Sequence, residues 1–324
     1  MEYTQLGRTG LSVSRLCLGT MNFGPHTAEP DAHAIMDTAH EVGVNFFDTA
    51  DVYGGPGHKG RTEEILGSWF AKGGGRRDRT VLATKLYGRT GDWPNEGRLS
   101  ALHVRRAVED SLRRLGTDHI DLYQMHHVDR ATPWEEIWQA MEVLVAQGKI
   151  LYVGSSNFGG WHLAQAQETA RARHFLGLVS EQSVYNLAVR TVELEVAPAA
   201  EHYGIGLIPW SPLFSGILGG VLRKEREGVR RVAEGWVADE VAKRREQLEA
   251  YEDFAAELGE EPGDIALAWL LGRPAVTAPV IGPRTLDQLH AAVRALDLTL
   301  DRKSLDRLDE IFPGFKPAPE AYAW

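Results

Sequence analysis

The sequence predicts an eight-stranded parallel α/β barrel, (β/α)8, and three observations predict it. Strand-like apolar runs and helix-like segments alternate eight times with no long linker between them. The 324 residues, 43% hydrophobic and 25% charged, suffice to bury one large core. Polar residues end several of the apolar runs, as expected where a parallel sheet gathers its strand ends on one face. An open doubly wound sheet is the alternative with the same alternation. Residues 1–324 are read as a single domain.

A hairpin comes first, within 1–14, where Gly7 and Gly10 flank Arg8-Thr9. Strand candidates follow at 15–18, 45–48, 81–85, 120–125, 150–154, 178–183, 206–210 and 278–281. In one intervening helix Val104, Val108, Leu112 and Leu115 share a face, while Arg105, Glu109, Arg113 and Arg114 point elsewhere. Another helix begins near Trp134, where Thr132 is expected to cap, Pro133 suits the first turn and Glu135 reaches back. Residues 223–245 form a charged insertion after the seventh strand, read most simply as a solvated helix face. The helix after it turns Val241, Leu248, Tyr251, Ala255 and Leu258 to the core. Thr285-Leu286-Asp287-Gln288 is a capping box. Residues 313–324 are a Pro- and aromatic-bearing tail without periodicity.

The formal net charge of −10 repels phosphate backbones, so no nucleic-acid partner is expected. Cys17 is the only cysteine, which excludes an intramolecular disulfide and suits a reducing cytoplasm. Met1-Glu2-Tyr3 does not begin a signal peptide, and no apolar run approaches the ~20 residues of a membrane span. The expectation is a cytoplasmic protein with a small-molecule partner. A homo-oligomer is compatible with the sequence but not readable from it.

Four polar residues at strand ends carry the chemistry. Phe46-Phe47 runs into Asp48, with Tyr53 five residues on; Val81-Leu82-Ala83-Thr84 runs into Lys85; the 120–125 run leads into His126. A phenol beside a buried ammonium, a carboxylate holding that ammonium, and an imidazole opposite form a device for protonating a carbonyl oxygen. Lys85 is expected to depress the pKa of Tyr53, Asp48 to keep Lys85 charged and aimed, and His126 to hold the carbonyl oxygen or share the proton transfer. Singly, each has a plainer reading as a turn cap, an ion pair or packing. Their complementary roles at three neighbouring strand ends favour the joint reading. Of His126 and His127, alternation places His126 with Leu122 and Gln124 on one face. Adjacent His126-His127 supply no metal set, since they face opposite ways and lack a third ligand.

Phe47-Asp48-Thr49-Ala50-Asp51-Val52-Tyr53-Gly54, Thr84-Lys85 and Asp121-Leu122-Tyr123-Gln124-Met125-His126 resemble the catalytic signatures of the aldo-keto reductases, and the resemblance runs from about Gly7 to Leu298. It implies a TIM barrel closed below by the hairpin, catalysis by Asp48, Tyr53, Lys85 and His126, and a nicotinamide cofactor without a Gly-x-Gly-x-x-Gly turn. By that resemblance Ser156, Asn157 and Gln182 hydrogen-bond the carboxamide and Trp210 stacks on the nicotinamide ring. Ser211, Pro212, Leu213 and Gly216 meet the pyrophosphate, and Thr20, Met21 and Asp48 border the ribose or nicotinamide end. Trp210 as a core aromatic and Ser156-Asn157 as a helix cap are the plainer readings. The 223–245 insertion takes the place of a loop that closes over cofactor, and the tail that of a substrate-pocket border.

The eighth strand adds a physical argument. Ile281-Gly282-Pro283-Arg284 leads into the capped helix start at Thr285, with Gln288 one turn on. Helix N–H groups beside an arginine suit a phosphate dianion, and barrels bind phosphates after strands seven and eight. The resemblance makes this the 2′-phosphate pocket of NADPH, preferred over NADH, with Arg284 and Thr285 on the phosphate. Ala292 stands where relatives commonly carry Asn, which weakens the expected adenine contact. Phe23, Tyr53, Tyr87, Trp93 and His126, with Tyr322 and Trp324 of the tail, are candidate pocket walls. The implied activity is NADPH-dependent reduction of an aldehyde or ketone. The alternatives are a cofactor-retaining redox-sensing subunit with little turnover, and a Schiff-base enzyme using Lys85.

Overall fold

The computed structural model describes residues 1–226 and 235–323. Strand β1 (Tyr3–Gln5) pairs antiparallel with β2 (Ser12–Ser14) in the expected hairpin. Eight parallel strands follow: β3 (Cys17–Gly19), β4 (Phe46–Asp48), β5 (Val81–Leu86), β6 (Ile120–Met125), β7 (Ile150–Ser156), β8 (Leu178–Gln182), β9 (Gly206–Leu207) and β10 (Val280–Ile281). Each pairs with the next in sequence, and β10 returns to β3. On the remaining side Val280 N–H donates to Pro209 O at 2.8 Å and Leu207 N–H to Ala275 O at 2.9 Å. The sheet thus curls into the predicted barrel, not the open alternative.

The last strands are shorter than the sequence suggests. Pro209 has no N–H to give the ladder, so regular pairing stops at Leu207 and single bonds continue the wall. At the first strand, Arg15 is not in the sheet; its guanidinium donates to the carbonyls of Leu271, Val276 and Thr277 and ties the barrel base to the last unit. Gly19 is required here, because a Cβ would lie 2.5 Å from a Val280 methyl.

The helices pack outside: α1 (Glu29–Glu41), α2 (Arg61–Phe70), α3 (Ala101–Leu115), α4 (Trp134–Ala146), α5 (Gly160–Ala172), α6 (Val196–Tyr203), α7 (Val221–Arg226), α8 (Gly235–Lys243), α9 (Arg245–Leu258), α10 (Pro262–Leu271), α11 (Leu286–Arg294) and α12 (Arg302–Ile311). In α3 the predicted stripe is buried, Ser100 caps the start by accepting from His103 N–H, and Gly116 ends it in the left-handed conformation. Helix α4 corrects the expected cap: Pro133 occupies the cap position and Thr132 donates its hydroxyl to Asp129. The helix expected across 241–258 is two, broken at Arg244, and Leu258 is exposed. Residues 227–234 of the charged insertion lie outside the described residues, as does Trp324.

Two cores result. The larger lies between strands and helices and holds Phe47, Trp69, Trp138 and Trp269. The smaller fills the barrel's lower interior with Phe46, Val81, Leu122, Val179 and Ile208, sealed by Leu6 and Val13 of the hairpin. Each such apolar side chain contributes about 1.5–3 kcal/mol of burial. Above this apolar cluster, the inward-facing Asp48, Lys85, Gln124 and Gln182 meet at the upper strand ends. Among the described residues, no helix is long and apolar enough to cross a membrane.

Candidate active site

Asp48, Lys85 and Gln124 project into the upper barrel from the ends of β4, β5 and β6, and Gln182 joins them from β8. Asp48 Oδ2 accepts from Lys85 Nζ at 2.5 Å, while Oδ1 accepts from the amides of Gln124 and Gln182, each at 2.9 Å. Lys85, fully buried, also donates to Thr49 O at 2.9 Å and to the Tyr53 oxygen at 3.3 Å. The His126 ring stands edge-on to Tyr53 with centroids 5.8 Å apart. The four catalytic candidates are therefore brought together. His127 stacks on His126, with centroids 5.0 Å apart, and packs against Tyr87. The expectation that the two face opposite ways is corrected, because β6 ends at Met125 and alternation stops there.

The electrostatics refine the expectation. Burial opposes the Lys85 charge, but Asp48 and then Tyr53 outweigh it, and its pKa is raised. For Tyr53 burial is the largest influence and raises its pKa; Lys85 pulls the other way without reversing the sign. The expected net depression is thus corrected: Lys85 limits a rise, and Tyr53 is a protonated phenol at neutral pH. His126 is pushed down to about 3 by burial, then by Lys85 and His127. Its imidazole is neutral, which leaves it a hydrogen-bonding role and removes the option of acting as an imidazolium acid.

Tyr53 is placed by a tight turn. Its N–H donates to Ala50 O, and Gly54 follows at φ 139°, where a Cβ would lie 2.0 Å from His58 O. Behind this turn Asp51 is buried with neither carboxyl oxygen hydrogen-bonded, and burial, then Glu63, pushes its pKa well above the carboxylate range. Sequence reasoning missed Gln124 as a partner of Asp48; its signal was a polar residue sharing the inward face with His126.

The candidate cofactor residues ring the same mouth. Ser156 is buried and donates to Gln182 O at 2.7 Å. Asn157, at φ 59°, donates to His126 O and accepts from the Trp210 indole at 3.1 Å. Gln182 gives one amide N–H to Asp48, leaving its second N–H and its oxygen for any carboxamide. Trp210 remains 37% exposed, which is inconsistent with a core aromatic. Beyond it Ser211, Phe214 and Ser215 are all left-handed, with Ser211 Oγ accepting from Ser215 N–H, Pro212 buried, Leu213 half-buried and Gly216 at φ 94°. Strain of this kind collects in ligand-binding loops. Thr20 is fully buried, its hydroxyl spent on Asp48 O, whereas Met21 is exposed.

At β10 Ile281 is buried and Gly282 O accepts from Asn22. Thr285 caps α11 as expected, but Gln288 reaches back to the Arg284 N–H, one residue before the cap. Arg284 is half-buried, and Thr285 and Gln288 are exposed. Ala292 is buried against the core. Among the pocket candidates, Phe23 is corrected: it is fully buried in the larger core and walls no opening. Tyr87 is half-buried at φ 144°, while Trp93 and Tyr322 are strongly exposed. The tail's start is pinned by Phe315 N–H donating to Glu193. In the insertion, Trp236 of α8 packs on Phe214 at 5.8 Å.

Residues 15–312 match the family model described as "Aldo/keto reductase family". The chain is 54% identical to "Uncharacterized oxidoreductase YrpG" of Bacillus subtilis (strain 168), over 100% of both chains. It is 32% identical to a "Probable voltage-gated potassium channel subunit beta" of Oryza sativa subsp. japonica, over 99% of this chain and 100% of that one. It is also 32% identical to "Versiconal hemiacetal acetate reductase" of Aspergillus parasiticus, over 96% of each.

Proposed function

The chain belongs to the aldo-keto reductase family of oxidoreductases, and from that premise we propose that it reduces an aldehyde or ketone to an alcohol with NADPH. The observation that carries the reading is the Asp48–Lys85–Tyr53 chain of contacts, with neutral His126 facing the same phenol. NADPH, when bound, supplies the hydride. Tyr53 gives its proton to the oxygen of the carbonyl as charge develops there. Lys85 stands at that phenol as a permanent positive charge, so the phenolate left behind is stabilised in a site with little water. Asp48 fixes the ammonium, and the two glutamine amides fix Asp48. His126 orients the carbonyl oxygen by hydrogen bonding in its neutral form.

The residues present fit a dinucleotide. The half-open Trp210 face, held by Asn157, suits a flat heterocycle. In the 211–216 loop Phe214, Ser215 and Gly216 spend their N–H groups within the loop. The Ser211 and Leu213 N–H groups and the serine hydroxyls are the donors that suit a pyrophosphate, and Arg284 with the start of α11 suits a 2′-phosphate. Asp48 at the adjoining strand end, hydrogen-bonded to Lys85, disfavours a Schiff-base lysine. A cofactor-retaining sensing role differs from reduction in turnover rather than in cofactor binding. The test is oxidation of NADPH, against NADH, with an activated aromatic aldehyde and a small α-dicarbonyl. Steady turnover that prefers NADPH supports the reading. Tight NADPH binding with no turnover of either carbonyl supports the sensor instead.

A further inference from the structure

On β8, Gln182 faces into the barrel and its neighbour Glu181 faces out, beneath the turn that joins β7 to α5. Glu181 is fully buried, and among the described residues no cation figures in its electrostatics. Its three close partners are all donors: Ser155 Oγ at 2.5 Å, Ser183 Oγ at 2.6 Å and the Phe158 N–H at 3.0 Å. Ser155 and Phe158 bracket Ser156 and Asn157, the pair assigned above to the nicotinamide carboxamide. Asn157 is held left-handed, ties back to His126 O, and receives the Trp210 indole. One carboxyl group therefore secures both ends of a short turn whose middle reaches the His126 backbone carbonyl, the Trp210 indole and the proposed cofactor position.

We propose that Glu181 is a positioning residue for cofactor binding: as a carboxylate it clamps the 155–158 turn, and as a neutral acid it loosens it. The inference rests on the cofactor reading above. A carboxylate accepts from all three donors at once, with the strength of charge-assisted bonds. A proton on Oε2 removes the acceptor that Ser155 uses and turns the group into a donor there. Burial, the largest influence, pushes Glu181 up to about 7, with Ser155, Ser183 and the turn N–H groups holding it from rising further. On the packed helix α5, His162 lies edge-on to Phe158, its pKa lowered by burial and then by Arg130, with Glu195 beside α6 opposing. The clamp therefore changes state near neutral pH.

The test compares the wild type with Glu181→Gln, which fixes the neutral form in nearly the same shape. NADPH affinity is titrated by fluorescence from pH 6 to 8. The wild type is expected to tighten by about five- to tenfold relative to Glu181→Gln, from the difference between charged and neutral hydrogen bonds. The 2′-phosphate titrates identically with both proteins and cancels in the comparison. kcat at saturating NADPH is expected to change far less than the Kd. Without cofactor, the indole N–H resonance of Trp210, assigned through Trp210→Phe, should move with a midpoint near 7 in the wild type and stay still in Glu181→Gln. Ser183→Ala, which removes one donor from the carboxylate, should raise that midpoint. Parallel pH profiles in wild type and Glu181→Gln, or an unshifted midpoint in Ser183→Ala, overturn the proposal while leaving the reductase intact. A titrating indole in a protein that binds no NADPH upholds the clamp and overturns the cofactor reading.

Discussion

Lys85→Met and Asp48→Asn, made singly and together, probe the buried pair on which the site depends. The two charges meet at 2.5 Å, and both residues are at most 3% exposed. Removing either partner of such a pair leaves an uncompensated buried charge, at about 3–5 kcal/mol. In Lys85→Met the carboxylate keeps only the two glutamine amides. In Asp48→Asn the new amide nitrogen must face either the ammonium or the two glutamine N–H groups, so one donor always meets another. The double variant escapes that conflict, because the Asn oxygen turns to the glutamines and no ammonium faces its nitrogen. Independent effects would sum to a loss of about 6–10 kcal/mol, whereas a coupled pair should make the double variant's loss about 2–3 kcal/mol smaller than that sum. Urea unfolding followed by circular dichroism at neutral pH measures all four proteins. Additivity within about 0.5 kcal/mol would refute the reasoning.

Three further outcomes follow from the geometry. Gly54→Ala should lower stability by about 2 kcal/mol and reduce turnover, because neither φ 139° nor a Cβ 2.0 Å from His58 O is tolerable; an unchanged melting curve contradicts this. His126 and His40 are lowered to about 3 and about 4 in the fold but protonate near their usual value when unfolded. The unfolded chain then binds more protons, so stability is retained above about pH 6.5 and falls as pH drops towards 4. His126→Asn should flatten that fall, and an equal slope in the variant speaks against a neutral buried imidazole. Arg284→Ala should weaken NADPH binding about tenfold or more while leaving NADH unchanged, as loss of a charge-assisted phosphate contact requires; equal losses for both cofactors dismiss the phosphate assignment.

Much of the barrel was legible because strand period and helix period differ and each run ends on a distinct residue type. The inward position of Gln124 follows from alternation alone. Element ends were less legible where side chains override local preference. Thr132 looks like a cap, yet Asp129 draws its hydroxyl away. Arg15 looks like part of a strand, yet carbonyls of the final unit claim it. Phe23 reads as an exposed aromatic after a strand, but the first loop folds it into the core. The sign of the Tyr53 shift was not legible, since it depends on weighing burial against a charge whose distance only the fold supplies. Glu181 was seen beside Gln182 but given no role of its own, and only the fold shows that the two serve opposite faces of β8.

The central claim, that Tyr53 delivers the proton, is tested most directly by single-turnover reduction of an activated aldehyde in wild type and Tyr53→Phe, each preloaded with NADPH. The phenyl ring keeps the packing and removes only the hydroxyl that Lys85 approaches at 3.3 Å. The account predicts NADPH affinity within about twofold of wild type and a hydride-transfer rate lower by about 10²-fold or more, the range for loss of a general acid. A variant that binds NADPH normally and transfers hydride at a rate near that of the wild type would contradict it.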